Sequence, residues 1–128
     1  MTDDAFLRAL EDGSLALTDF SHRAHVRAGY LMLKEEPTFG RALDRLANAI
    51  RAFAARHGKD GLYHETITVA FMSLIAARKA ANDPGDWETF AAAHPDLFEK
   101  DILARYYTPD LLRTRRARAV FLLPGEAA

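Results

Sequence analysis

A chain of 128 residues with 49% apolar side chains is long enough for one hydrophobic core and leaves no room for a second domain. With 17 Lys+Arg against 18 Asp+Glu, its net charge of -1 gives no global field that would attract nucleic acid or an anionic membrane. The absence of cysteine excludes disulfides, thiolate metal sites and cysteine nucleophiles, so any metal must be held by His, Asp, Glu or Tyr.

The apolar spacing is helical almost throughout, and no segment alternates with period two. The start, Met1-Thr2-Asp3-Asp4, is acidic and opens an amphipathic stretch, with no apolar leader or spanning segment. A soluble cytoplasmic protein is the expectation. A first short helix is predicted from Asp3 to Glu11, ended by Asp12-Gly13. Leu17-Thr18-Asp19 opens a second, with Thr18 as N-cap, which runs to about Glu35 before Pro37. The third runs from about Thr38 to His57 and stops at Gly58, and the fourth from about Leu62 to Ala81. Asn82-Asp83-Pro84-Gly85 breaks the chain.

Asp86 caps a short helix through Trp87 and Phe90. Pro95 opens another that carries Leu97, Phe98, Ile102 and Leu103. Thr108-Pro109 starts a last helix towards Phe121, and Leu123-Pro124-Gly125 ends the order. The sum is an all-α single domain over residues 1–128, a bundle of three long antiparallel helices with shorter C-terminal helices packed on it.

On the second helix, Arg23, Arg27, Tyr30 and Lys34 share one side, read as solvent-facing. His25, Gly29 and Met32 lie opposite, with His22 on the flank. The fourth helix carries no charge from Ile67 to Ala77, the pattern of a central, enclosed helix. His64 stands at its entrance, in line with Phe71 and Ile75. Short connections send the second, third and fourth helices up, down and up. The starts of the second and fourth then share one end of the bundle, which brings His22, His25 and His64 to one level. His57, at the end of the stripe Leu46, Ile50, Phe53, arrives at the same end.

Two histidines three apart occupy one helix face, and neutral imidazole suits zinc, iron, copper and nickel. The leading expectation is therefore a mononuclear site for one divalent transition metal, zinc or iron first, copper or nickel next. His22, His25 and His64 are its ligands and His57 the reserve. Glu65 is the acid/base or an outer hydrogen-bond partner, with Tyr63 and Thr68 as further hydrogen-bonding groups. A metal-dependent enzyme of undecided reaction, hydrolytic or oxidative, acting on a small molecule follows from that reading. Chance spacing and helix capping explain the same residues without metal. His57 suits a helix C-terminus and Glu65 a helix N-terminus. Two alternatives stand beside the metal site: a metal-free ligand pocket using His25 or His64 with Glu65 in acid–base chemistry, and a helical interaction module without catalysis. Arg113, Arg115, Arg116 and Arg118 are read as the solvated face of the last helix. No nucleic acid or membrane partner is expected, and a homo-oligomer stays open.

The pairing of Phe20-x-His22-x-x-His25 with Tyr63-His64-Glu65-Thr66, with the tail from Arg105-Tyr106-Tyr107 to Pro124, resembles a pattern in small bacterial all-helical proteins. That group has no settled activity. The resemblance implies that these residues belong together and supplies neither substrate nor metal.

Overall fold

The computed structural model describes all 128 residues, and every regular element in it is helical. The helices are α1 (Asp3–Asp12), α2 (His22–Glu35), α3 (Phe39–Arg56), α4 (Glu65–Ala81), α5 (Trp87–Ala93), α6 (Pro109–Leu112) and α7 (Arg115–Ala119). Single tight turns at Leu17–Asp19, Asp60–Leu62, Pro95–Phe98 and Ile102–Arg105 join them. No helix is long and apolar enough to cross a membrane.

Each helix starts on a side chain that accepts a hydrogen bond from its first turn: Thr2, Ser21, Thr38, His64, Asp86, Thr108 and Thr114. Such a cap satisfies one of the amide donors that a helix start leaves unpaired. Two starts differ from the sequence expectation for this reason. The Ser21 hydroxyl, not Thr18, caps α2, accepting from the Ala24 amide at 3.2 Å. Leu17-Thr18-Asp19 forms an isolated turn instead. Thr114, two residues after α6 ends at Leu112, caps a new helix, so the expected last helix is two short ones, and Val120 ends the second in extended backbone. The segment after Pro95 forms two separate turns, Pro95–Phe98 and Ile102–Arg105, neither of them with a side-chain cap.

One apolar core unites α1 to α5 with the C-terminal pieces. Phe53 of α3 sits at its centre, in edge contact with Phe20 at 4.8 Å between centroids. At the far end of α2, Arg45 of α3 joins Glu35 at 3.0 Å and Glu36 at 3.2 Å, and also holds Glu11 of α1. The α5 side of the core is aromatic, with Tyr30 stacked on Phe90 at 4.4 Å and near Trp87.

Tyr30 corrects the wheel reading of α2. It is fully buried, and its hydroxyl donates to Asp83 at 2.7 Å. A phenol on the charged side of a helix can be covered by an element that arrives later, here α5 and the turn after α4. The enclosure of α4 also needs correction. Thr66, Thr68, Met72 and Ile75 are buried, but Ile67, Phe71 and Leu74 are half-buried and Ser73 and Ala77 exposed. An uncharged helix is not thereby surrounded. Part of the exposure of Ile67 and Phe71 arises because both line a cavity.

Gly29 sets the approach of α4 to α2. A Cβ there would lie 3.0 Å from Ile75 Cδ1 and 3.2 Å from the Met72 sulfur.

Candidate functional site

Between α2, α3 and α4 lies a cavity of about 290 Å³. Its wall is mostly apolar: Val26 of α2, Leu46 and Ile50 of α3, and Ile67, Phe71, Met72 and Ile75 of α4, with Leu62 at the rim. The polar exceptions are His22, His25, His64 and Thr68. The structure therefore brings the three expected ligand histidines to one cavity.

Their ring nitrogens are not equally free. His64 is 6% exposed and doubly committed. Its Nδ1 accepts the Ile67 amide at 3.1 Å, and its Nε2 donates to the Leu112 carbonyl at 2.7 Å. Because a carbonyl can only accept and an amide only donate, this fixes a neutral ring with hydrogen on Nε2. His22 donates Nε2–H to the Leu97 carbonyl at 2.9 Å and meets Phe71 edge-on at 5.0 Å. His25 donates Nδ1–H to the Ser21 carbonyl at 3.0 Å and stacks on Phe20 at 3.7 Å.

That leaves Nδ1 of His22 and Nε2 of His25 without a partner in the chain. No buried side-chain nitrogen or oxygen is unsatisfied anywhere in the molecule, so both atoms reach accessible space. Burial pushes the His25 imidazole below its ordinary pKa of 6.5; the bond to Ser21 opposes this, and the nearby His22 ring adds to the depression. His25 is thus a neutral acceptor at physiological pH.

Glu65 is placed elsewhere. It starts α4, accepts a short hydrogen bond from the Tyr63 hydroxyl and lies 3.9 Å from Arg51, outside the cavity lining. Arg51 covers the Tyr63 ring at 4.1 Å. Burial and then the Glu65 carboxylate push the Tyr63 phenol up to about 12, so it stays a donor. The helix wheel already separates Glu65 from His64, since successive residues diverge by about 100°. His57 also misses the cavity: its Nε2 donates to the Leu15 carbonyl at 3.2 Å and its ring packs on Phe53. His94 lies against Phe90 and near Arg78, which clasps Asp96 through two bonds of 2.7 and 2.8 Å. No three His, Asp or Glu side chains are grouped so that they could hold one metal ion.

The arginines of the tail are mainly occupied. Arg113 pairs with Asp110, Arg116 reaches Glu126 and the Ala127 carbonyl, and Arg118 donates to the carbonyls of Gly61 and Tyr63. Arg118 therefore ties the tail to the turn before α4, a role the solvated-face reading did not include.

Thr66 is the polar residue that the sequence did not single out by burial. Its hydroxyl is fully buried, lies 2.7 Å from the Ala117 carbonyl and 2.9 Å from that of Val120, and accepts the Leu122 amide at 3.1 Å. His64 and Thr66, two residues apart, together fasten the C-terminal segment over the start of α4. A threonine at the fourth position of Tyr63-His64-Glu65-Thr66 carries no signal of this by itself, since its partners are backbone groups about fifty residues away.

Compared with protein-family models, curated proteins and solved structures, the chain matches none of them.

Proposed function

We propose that this protein binds a small, mainly apolar molecule in the cavity between α2, α3 and α4, with His22 and His25 as its polar and acid–base groups. The observation that carries the reading is the pair of unpartnered ring nitrogens on residues of a mostly apolar wall. Ligand sites are typically apolar concavities with a few placed polar groups, and about 290 Å³ is at the small end of their usual range. The up-down-up run of three long helices belongs to the same reading. Its support is that α2 meets α3 start-to-end, through Phe20 with Phe53 and Glu35 with Arg45. Thr68 adds a hydroxyl to the wall. The cytoplasmic setting is part of this proposal.

The test is direct: benzene or indole is titrated into protein with labelled Met and Ile methyl groups. Perturbation of Met72 and Ile75 is expected; if neither signal moves while surface methyls do, the pocket reading fails.

A specific feature keeps the metal reading as second. Metal-binding imidazoles usually have their other ring nitrogen tied to a carbonyl or carboxylate, and His22 and His25 are both tied in this way. Zinc or iron held by these two would fill its other positions from water or substrate. His64 would join only by releasing Ile67 or Leu112. Metal analysis of untagged protein after reconstitution separates the readings, since the pocket reading needs no bound metal.

A further inference from the structure

The hydrogen bonds that orient the cavity histidines also decide what kind of polar group the cavity can receive. Leu97 and Ser21 present carbonyl oxygens, so each takes a hydrogen from the ring nitrogen facing it. The other nitrogen of each ring, Nδ1 of His22 and Nε2 of His25, has no partner in the chain, and in a neutral ring it carries a lone pair and no hydrogen. His64 offers neither hydrogen nor lone pair, because both its nitrogens are used by backbone groups. The wall contains no Lys, Arg, Asp or Glu. The single remaining donor is the Thr68 hydroxyl.

Such a wall is matched by a ligand that donates. A carboxylate or phosphate has only acceptors to offer, and in an apolar wall without a cation its charge would be stripped of water for one hydroxyl bond. A hydroxyl on an apolar body supplies the hydrogen that the imidazoles lack. Size permits it: an apolar cavity of about 150 Å³ holds benzene, so one of about 290 Å³ accommodates a ring with a short substituent.

We infer that the cavity selects neutral hydroxyl compounds with an apolar body, phenols above all, whose single O–H donates to the lone pair of His22 Nδ1 or of His25 Nε2. This rests on the pocket reading above and names its ligand class. Binding orients the hydroxyl towards α2 and leaves the ring against Phe71, Met72 and Ile75.

The experiment uses the whole protein with ¹⁵N-labelled histidine and labelled Met and Ile methyls, near neutral pH. The probes are p-cresol, p-xylene, in which a methyl replaces the hydroxyl, and benzoate. Without probe, His22 and His64 should show hydrogen on Nε2 and His25 on Nδ1. With p-cresol, the methyls of Met72 and Ile75 and the bare nitrogen of His22 or of His25 should shift together. With p-xylene only the methyls should shift, and benzoate should bind at least about fivefold more weakly than p-cresol, as expected from one lost hydrogen bond. Methyl shifts with p-cresol but unmoved ring nitrogens overturn the donor inference and leave the pocket standing. Benzoate binding more tightly than p-cresol overturns it too. If no probe moves Met72 or Ile75, the pocket reading falls and the inference with it.

Discussion

The imidazole of His64 donates to the carbonyl of Leu112 at 2.7 Å, while its other nitrogen caps α4 through the Ile67 amide. One ring thus joins a helix start to a segment 48 positions later in the chain. His64→Ala removes both bonds and should destabilise the fold by about 1–3 kcal/mol. His64→Asn, which keeps a capping oxygen, should recover part of that loss. Urea midpoints of the two variants check the order, and equal midpoints for His64→Asn and the native chain would remove the tail contact from the account.

Thr66 gives a sharper case, because valine has the same shape without the hydroxyl. Thr66→Val leaves the buried Leu122 amide without its acceptor and removes the one hydroxyl hydrogen shared between the Ala117 and Val120 carbonyls. A loss of about 1–3 kcal/mol is expected, with Thr66→Ser largely neutral. Hydrogen exchange at the Leu122 amide should accelerate more than exchange within α3.

Acid should weaken the fold in mild conditions through His25. Its folded pKa lies below the ordinary 6.5, so between the two values the unfolded chain binds the extra proton. The stability that the neutral ring contributes is full above about pH 6.5 and is lost as the pH falls through the folded value. Asp83, lowered to about 2 chiefly by the Tyr30 hydroxyl, and Asp96, lowered chiefly by Arg78, act only below the ordinary 3.8. His25→Phe keeps a ring on Phe20 and removes the titration. Melting temperatures between about pH 7.5 and about pH 5 should fall less for the variant than for the native chain.

Gly29→Ala separates stability from binding. The new Cβ would press the ends of Ile75 and Met72, and both side chains border the cavity into which they can retreat. The helix gains about 1 kcal/mol of propensity from the loss of glycine. Stability should therefore stay level or rise slightly, while affinity for benzene falls severalfold because the cavity shrinks. Denaturant curves and a methyl-shift titration measure the two effects separately.

Tyr30→Phe should cost about 1–2 kcal/mol, since Asp83 loses the hydroxyl that lies 2.7 Å from it and keeps only Lys79 and the Gly85 amide. The Asp83 carboxyl should then titrate nearer its ordinary 3.8, readable by carboxyl NMR.

The helical fold class and the breaks at Gly13, Pro37, Gly58 and Asn82–Gly85 were legible in the chain, because helix period, caps and breakers are local properties. The sharing of one cavity by His22, His25 and His64 was foreseeable from face and direction alone. Local reading failed where a residue's fate depends on segments far along the chain. Tyr30 sits among charged residues on its wheel but is buried once α5 lies across it. Glu65 follows His64 in sequence yet faces Tyr63 and Arg51. Sequence by itself determined which residue types could meet at the start of α2 and α4. The tertiary structure decided which of their nitrogens remain available, because the carbonyls of Leu97 and Leu112, groups that every residue carries alike, take one hydrogen from His22 and one from His64. A backbone acceptor has no signature in the sequence; only folding puts it beside a particular ring.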